Sequence, residues 1–243
     1  METYSQIKNN LKKLRLKAIL ENIEHMTKEA IDAQMSYIDY LLLITQDEIE
    51  RREQNRKNLA IKKAMLGRYK RITDFDFNFN VSINRKKIMD LVTCNFIIKF
   101  ENIIFEGPTG VGKTFLAKAL AHEACCKGFK VLFSRTEKML DNIFSGKADG
   151  SYLKKMNMYI KPQLLVLDDW GMTAFSNQYL NILNEIISER YENGSIIITS
   201  NRPLENWDEL FSEPVISSAL IDRIFHNSHI IKIQGKSYRK RLK

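Results

Sequence analysis

The sequence has little cysteine, little proline and no long apolar segment. Only three of its 243 residues are cysteines, Cys94, Cys125 and Cys126. They are too few and too badly spaced for a disulfide framework or a zinc site, so we interpret them as buried thiols. The longest apolar run, residues 40–44, is far shorter than the roughly 20 residues that a membrane span needs. The N-terminal residues also lack the apolar core of a signal peptide. We therefore expect a soluble, cytoplasmic protein that is not bound to a membrane.

Basic residues exceed acidic ones, and the excess lies at the two ends of the chain. There are 38 Lys and Arg against 29 Asp and Glu, a formal net charge of +9. Residues 1–71 carry a net charge of +5, residues 72–235 carry −1, and residues 236–243 carry +5. Clustered cations attract duplex DNA through its phosphates without reading its sequence. The charge pattern therefore favours duplex DNA as a partner of the two ends.

The first 71 residues contain no proline, and their apolar pattern predicts a helical domain. Ile7, Leu11, Leu14 and Ala18 recur at helical spacing. A second helix is predicted to begin at Ser36, where SYID resembles a capping box. It should continue through residues 51–66 and end near Gly67, since glycine commonly terminates helices.

The predicted second helix contains the densest group of basic residues in the sequence. Candidate DNA contacts on it are Arg51, Arg52, Arg56 and Lys57. The alternative interpretation is a solvated helix face, because Arg, Lys and Glu also favour helices in water. For the basic tail, residues 236–243, the alternative is a disordered terminus.

Residues 72–83 alternate between apolar and polar, which predicts an extended connector lying against the next domain, with Phe75, Phe77 and Phe79 on one face.

Residues 84–235 then alternate between helical patterns and short Ile/Val/Leu runs. A helix is predicted over residues 84–96, and strands over 102–106, 129–134, 163–168, 195–200 and 229–233. This alternation predicts an α/β domain with a five-stranded parallel sheet covered on both faces.

A glycine-rich segment follows the first predicted strand. GPTGVGKT matches the phosphate-loop pattern G-x-x-x-x-G-K-[ST], with a helical pattern after it. The glycines let backbone N–H groups face phosphate oxygens, and the following helix adds its positive end. Lys113 should reach the β- and γ-phosphates, and the Thr114 hydroxyl should bind Mg²⁺. The predicted ATP-binding residues are Gly107, Pro108, Thr109, Gly110, Val111, Gly112, Lys113, Thr114 and Phe115.

Polar side chains end the next two core strands. Asp168 and Asp169 follow the apolar run 164–167, and Asn201 follows the strand 195–200. Ligands of open parallel sheets bind at the carboxyl ends of the strands. We predict that Asp168 binds Mg²⁺ together with Thr114. Asp169 is then the candidate catalytic base, and Asn201 would help to position the attacking water.

Five segments in this order resemble the AAA+ ATPases of the IstB/DnaC clade: GPTGVGKT, LLVLDDWG, TSNRP, SALIDRIFHNSH and GKSYR. The resemblance extends over nearly the whole chain and is strongest to IstB, the ATP-binding helper of insertion-sequence transposition. DDWG is typical of IstB, whereas the helicase loader DnaC usually has Asp-Glu. TSN is similar to DnaC at least as much as to IstB, so the residues leave the sub-family open.

The resemblance implies roles for further residues. Arg223 matches an arginine finger that acts in a neighbouring subunit's ATP site. Arg239 matches a second-sensor arginine, which makes it a further expected ATP-binding residue. The usual helical lid of AAA+ proteins is expected to be essentially absent, since only residues 240–243 follow Arg239. A helical insert near residues 136–161 typically faces DNA in this clade. Its candidate DNA contacts are Lys147, Lys154 and Lys155.

The sequence thus predicts a helical domain (1–71), a connector (72–83), an AAA+ ATPase domain (84–235) and a basic tail (236–243). The resemblance implies an ATPase that requires Mg²⁺, forms a ring or spiral homo-oligomer with ATP, remodels duplex DNA and recruits a transposase. One alternative is a replicative helicase loader. A second is a nucleotide-gated interaction protein that does not hydrolyse ATP.

Overall fold

Residues 2–79 and 82–240, which the computed structural model describes, form two units that divide after Leu59. The first unit is helical, and the second contains the sheet. Among the described residues, no helix is both long enough and apolar enough to cross a membrane. The two units are described separately below.

The described residues of the first unit form three helices rather than the two predicted. They are α1 (Glu2–Lys13), α2 (Lys17–Asp32) and α3 (Tyr37–Lys63), of which α3 continues into the second unit. The predicted apolar stripe from Ile7 to Ala18 is interrupted, because Arg15 adopts a left-handed backbone (φ 57°) and Leu14 is exposed. The small core of the first unit is formed by Leu11, Ile19 and Ile23. Leu16, Leu20 and Ile44 pack against it.

Side chains of neighbouring segments cap two of these helices. Ser36 precedes α3, and its hydroxyl accepts the Asp39 N–H at 3.2 Å, as the capping-box pattern predicts. No side chain of its own segment caps α2. Instead, the buried Glu48 carboxylate accepts the N–H groups of Ala18 (2.8 Å) and Ile19 (3.4 Å). A carboxylate at a helix N-terminus also complements the helix dipole.

The boundary between the units lies earlier than the sequence predicts. The second unit begins at Ala60 instead of residue 72. Ala64, Leu66 and Ile72 are buried in its core, which explains the shift, since residues 60–71 pack as part of the second unit. Helix α3 ends at Lys63, ahead of Gly67.

The predicted extended connector is wrong for the described part of residues 72–83. Ile72–Asp74 form a 3-10 helix, and residues 77–79 form a turn. Phe75 and Phe77 pack edge to face, 4.9 Å apart, and both lie against the core of the second unit. The aromatic residues therefore pack as a cluster. Residues 80 and 81 lie outside the described residues.

The sheet of the second unit contains five parallel strands in the order β2-β3-β4-β1-β5. The strands are β1 (Asn102–Glu106), β2 (Val131–Arg135), β3 (Leu164–Trp170), β4 (Ser195–Ser200) and β5 (Ser228–Lys232). All five lie close to their predicted positions. Alternate residues enter two separate apolar cores, with Ile103 and Phe105 in one and Ile104 in the other. The predicted α/β fold is thereby confirmed.

Helices cover both faces of the sheet. They are α4 (Arg85–Val92), α5 (Asn95–Ile98), α6 (Lys113–Cys126), α7 (Thr136–Asp149), α8 (Tyr152–Ile160), α9 (Asn177–Arg190) and α10 (Pro214–Phe225). The helix predicted over 84–96 divides into α4 and α5, because Cys94 adopts a left-handed backbone (φ 64°). After β5, the described chain contains only the 3-10 helix Tyr238–Lys240.

Candidate nucleotide-binding site

The glycine-rich loop connects β1 to α6 and depends on close backbone approach. Gly107 and Gly112 have positive φ angles of 151° and 106°. A Cβ atom on Gly107 would lie 2.1 Å from the Ile233 carbonyl oxygen, and one on Gly112 would lie 2.5 Å from the Phe75 ring. Only glycine fits at these two positions without a shift of the neighbours. The loop leads directly into the N-terminus of α6, where unpaired N–H groups favour an anion.

Lys113 lies buried under the loop, with its ammonium group held by oxygen atoms. It donates to the carbonyl oxygens of Gly107 (2.7 Å) and Pro108 (2.8 Å) and to Oδ1 of Asn201 (2.5 Å). Burial lowers the pKa of Lys113 to about 8, while the nearby charges of Asp169 and Asp168 oppose this shift. The structure thus brings Lys113 and Asn201, from separate parts of the chain, into direct contact.

Asp168 accepts hydrogen bonds from two threonine hydroxyls. Its Oδ1 atom receives Thr114 Oγ1 at 2.7 Å and Thr199 Oγ1 at 2.6 Å, and the residue is only 4% exposed. The sequence analysis assigned no role to Thr199. In the sequence, Thr199 is followed by two more polar residues at the end of an apolar strand, and nothing in that pattern distinguishes the Thr199 hydroxyl.

An irregularity in β3 places both aspartates opposite Thr199. Leu167 pairs with Ile198 and Trp170 with Ser200, so β3 has one residue more than β4 between these pairs. Asp169 adopts a left-handed backbone there (φ 58°), and its N–H donates to Thr199 Oγ1 at 3.1 Å. Thr199 is therefore bonded to both aspartates.

The Asp169 carboxylate faces the cavity in a mixed electrostatic environment. Burial and the neighbouring Asp168 charge raise the pKa of Asp169, and Arg135, Lys113 and Arg239 oppose that shift. Arg135, the last residue of β2, places its Nε atom 3.7 Å from Asp169 Oδ2. Arg135 was missed by sequence reasoning, because a lone arginine after a strand carries no motif.

A cavity of about 420 Å³ at the carboxyl edge of the sheet is lined by Lys113, Thr114, Arg135, Asp169 and Asn201. Asp168 and Thr199 are hydrogen-bonded to this lining, through Thr114 and Asp169 respectively. Thr109, Gly110, Val111, Gly112, Lys113, Thr114 and Phe115 line one side, and Asp169 and Asn201 line another. The rest is lined by the connector, through Phe75 and Phe79, and by the tail, through Tyr238 and Arg239. Of these residues, the sequence analysis expected only Arg239 at the ATP site. The Phe79 and Tyr238 rings meet edge to face, 5.0 Å apart.

The tail segment is bonded to the phosphate loop itself. The Tyr238 N–H donates to the Gly110 carbonyl oxygen at 2.9 Å. Arg239, the next residue, lines the same cavity. Its positive charge adds to the lowering of the Lys113 pKa and offsets part of the rise in the Asp169 pKa. The structure thus places Arg239 at the cavity without a helical lid among the described residues.

Arg223 lies away from this cavity. It is in the last turn of α10 and lines a second cavity of about 240 Å³ together with Asn102 and Ile196, at the start of β1 and β4. Its guanidinium donates to Asn184 Oδ1 at 3.4 Å. Because the carboxyl ends of parallel strands share one edge, Arg223 lies toward the opposite edge from the phosphate loop.

The candidate DNA-contact residues of the first unit differ in their surroundings. Arg51 forms an ion pair with Glu21, and Arg52 forms one with Glu48 at 2.7 Å. Arg56 is exposed, and Lys57 is half-buried.

The three candidate lysines of the second unit lie on α7 and α8. Lys147 lies over the rings of Phe144 and Tyr152, 5.6 and 5.5 Å from their centres. Lys155 forms an ion pair with Asp149 at 3.4 Å, whereas Lys154 is exposed.

The donor atoms near the loop suit Mg²⁺. Mg²⁺ takes oxygen ligands and is usually held by one or two protein groups, with waters and phosphates completing the shell. The Thr114 hydroxyl and the Asp168 carboxylate, 2.7 Å apart, provide two such groups beside the phosphate loop. No cluster of three or more His, Cys, Asp or Glu residues suited to a metal occurs in the part of the chain that the structure describes.

Comparison with known proteins agrees with this geometry. The sequence profile of the family described as IstB-like ATP binding protein matches residues 9–243. The chain belongs to this family. The family assignment confirms the resemblance seen in the sequence and, with the phosphate loop, identifies the cavity between connector, loop and tail as the candidate ATP site.

Relatives named as ATP-binding proteins of insertion sequences match over nearly their whole length. The one from IS232 of Bacillus thuringiensis subsp. berliner is 32% identical over 98% of this chain and 95% of its own. One from Mycobacterium tuberculosis is 34% identical over 97% and 94%. Among solved structures, DnaI has a TM-score of 0.60 at 23% identity, covering 68% of this chain and 91% of its own. The DnaC helicase loader has a TM-score of 0.56 at 23% identity, covering 72% and 98%. At this identity, the structural likeness concerns the fold alone.

Proposed function

We propose that this protein is an Mg²⁺-dependent ATPase that assembles on duplex DNA and assists transposition. The observation that carries the proposal is the convergence of the Thr114, Asp168 and Thr199 hydrogen bonds with the contact between Lys113 and Asn201 at one cavity. A purely structural glycine turn would not require a buried lysine and a buried, hydroxyl-bonded carboxylate at its side.

The residues divide the chemistry between them. Lys113 and the N-terminus of α6 bind the phosphates. Thr114 and Asp168 would hold Mg²⁺, which would neutralise charge on the phosphate oxygens. Asp169 accepts a proton from the attacking water, and its raised pKa makes it a better proton acceptor than an ordinary aspartate. Asn201 orients that water from the end of β4.

The aromatic side of the cavity suits the adenine base. Phe75, Phe79 and Tyr238 line the part of the cavity formed by the connector and the tail. Flat apolar rings favour a flat base by stacking and by exclusion of water. The connector and the tail thus close the site around the whole nucleotide.

Hydrolysis in this proposal depends on assembly. Arg223 lies outside the cavity of its own chain, which is the arrangement required of a residue that acts in a neighbouring subunit. An arginine that arrives with the neighbour stabilises the charge of the transition state only in the oligomer. A ring or spiral of subunits, formed with ATP, would therefore be the active form.

Duplex DNA and a transposase are the proposed partners. The excess positive charge at the chain ends supports phosphate contacts, and the insertion-sequence relatives support a transposase. In this proposal the ATP-bound oligomer remodels target DNA and recruits the transposase, and hydrolysis resets the assembly.

A subunit-mixing experiment tests the hydrolytic part. Asp169→Asn and Arg223→Ala should each abolish DNA-dependent ATP turnover while leaving nucleotide binding nearly intact. Mixing the two inactive variants should restore part of the turnover, because some subunit interfaces then combine an intact Asp169 with an intact Arg223. Lys127→Ala, an exposed cation at the end of α6, is the control and should match the unmodified protein.

Two outcomes would contradict the proposal. Failure of the mixture to recover any turnover, with both variants still forming oligomers, would remove the role of Arg223 in trans. ATP binding without turnover by the unmodified protein on duplex DNA would instead favour a nucleotide-gated interaction protein.

A further inference from the structure

One face of α3 in the first unit is apolar and exposed to solvent. Ile38 is 73% exposed, Leu42 64% and Ile49 51%, and Leu41 is exposed beside them. Their spacing of three, four and seven residues places them on a single face of the helix. Ile44, on a neighbouring side of α3, packs against the small core of the unit. The face spans about 16 Å, or three helical turns.

The apolar face continues into a groove at the turn between α2 and α3. Met35, Leu42 and Leu43 line an open cavity of about 560 Å³ there. Ile31, near the end of α2, is 69% exposed. A contiguous apolar surface of this kind on a small helical unit marks an interaction site, because solvent-exposed apolar area is costly to leave uncovered. We call Ile38, Leu41, Leu42 and Ile49 with this groove the α3 face.

The surroundings of the α3 face are acidic. Residues 21–50 contain eight Asp and Glu residues, and Lys28 is their only Lys or Arg. Lys8 and Arg51 offset Glu24 and Glu21 by ion pairs, which leaves Asp39 and Glu50 beside the apolar stripe with no ion pair among the described residues. The negative charge repels nucleic acid phosphates. It also disfavours a second copy, since a two-fold contact would bring the same acidic surfaces together.

We infer that the α3 face binds a positively charged amphipathic helix of a partner protein. Such a helix places its apolar side on Leu42 and Ile49 and its cations near Asp39 and Glu50. This inference rests on the proposed function, because the transposase recruited there is the partner that would supply the helix. It divides the first unit into two surfaces: the α3 face for protein and the basic end of α3 for DNA.

Binding of the purified transposase of the same insertion sequence to the full-length protein tests this inference. Leu42→Gln/Ile49→Gln should weaken that binding by at least about tenfold, the loss expected when central apolar contacts of an interface are truncated. Leu14→Gln is the matched control, since Leu14 is 66% exposed in the same unit but lies off the α3 face. Glu50→Lys should weaken binding and reduce its dependence on salt.

The remaining outcomes decide between the alternatives. DNA binding and ATP turnover of Leu42→Gln/Ile49→Gln should equal those of the unmodified protein, which also shows that the variant folds. If this variant binds the transposase as well as the unmodified protein does, the α3 face is not the binding site, although the proposed recruitment still holds. If the unmodified protein does not bind the transposase, both the α3-face inference and the proposed recruitment are wrong. Loss of self-association in the variant, with transposase binding retained, would assign the face to a second copy instead.

Discussion

Replacing the Thr199 hydroxyl with a methyl group should weaken the use of Mg²⁺ without weakening nucleotide binding. Thr199→Val keeps the shape of the side chain in the buried strand β4 but deletes the donor to Asp168 Oδ1 (2.6 Å) and the acceptor of the Asp169 N–H (3.1 Å). Within the described residues, the Asp168 carboxylate then keeps the Thr114 hydroxyl as its hydrogen-bond donor. We therefore expect the Asp168 carboxylate, which is proposed to bind Mg²⁺, to lose its fixed orientation.

The expected size of the effect follows from the role of Thr199 as a group that orients a metal ligand. Loss of such a group typically lowers metal affinity or activity by about 10- to 100-fold. The Mg²⁺ concentration for half-maximal DNA-dependent ATP turnover should therefore rise by about that factor in Thr199→Val. Thr199→Ser retains the hydroxyl and should remain close to the unmodified protein.

The assay is a Mg²⁺ titration of ATP turnover on duplex DNA, paired with binding of a fluorescent ATP analogue without Mg²⁺. Affinity in the absence of Mg²⁺ should not change, because Thr199 is not among the residues that line the cavity. An unaltered Mg²⁺ titration in a folded Thr199→Val protein would refute the reasoning. A parallel loss of Mg²⁺-free binding would show instead that Thr199 supports the shape of the loop.

Three further perturbations have defined outcomes. Arg56→Gln/Lys57→Gln should reduce the slope of log affinity for DNA against log salt by about 1.8, or 0.9 for each lost phosphate contact, and Arg51→Gln should change it less because Arg51 is ion-paired. Burial raises the pKa of Glu48, but the hydrogen bond from Arg52 and the two helix N–H groups bring it, on balance, below its ordinary 4.5. The ionised group thus stabilises the fold above pH 4.5, and this contribution is lost as the pH falls through the lowered pKa. Glu48→Gln should lower the free energy of unfolding by about 1–3 kcal/mol at pH 7, measured by thermal unfolding, and the difference should shrink as the pH falls below 4.5. A loss that does not change with pH would mean that shape, not charge, stabilises α2. Gly112→Ala should abolish nucleotide binding, since its Cβ would overlap an aromatic ring of the connector; wild-type affinity by calorimetry would contradict this.

The strands and the phosphate loop could be predicted because each is encoded by a short continuous pattern. Buried parallel strands are apolar throughout, and the loop needs its glycines, lysine and threonine at fixed spacing. Breaks inside helices could not be predicted in this way. Arg15 and Cys94 adopt left-handed backbones although neither is the glycine that usually marks such a position. Tertiary packing imposes these breaks.

Four residues of the candidate site could not be predicted for a different reason. Arg135, Thr199, Phe79 and Tyr238 come from four segments that meet only when the sheet order is known. The order β2-β3-β4-β1-β5 brings the ends of distant strands to one edge, and a single sequence does not specify that order. Thr199 in particular required the extra residue in β3, since that irregularity turns both aspartates toward one hydroxyl.

The hydrogen bond from Tyr238 to Gly110 has a practical consequence for anyone producing the protein. A segment that is bonded to the glycine-rich loop is a poor place to attach foreign sequence. An affinity tag or fluorophore fused after Lys243 would disturb residues that line the candidate nucleotide cavity, and its effect could be mistaken for a defect in ATP use. Labels placed before α1, in the other unit, leave that end of the chain undisturbed.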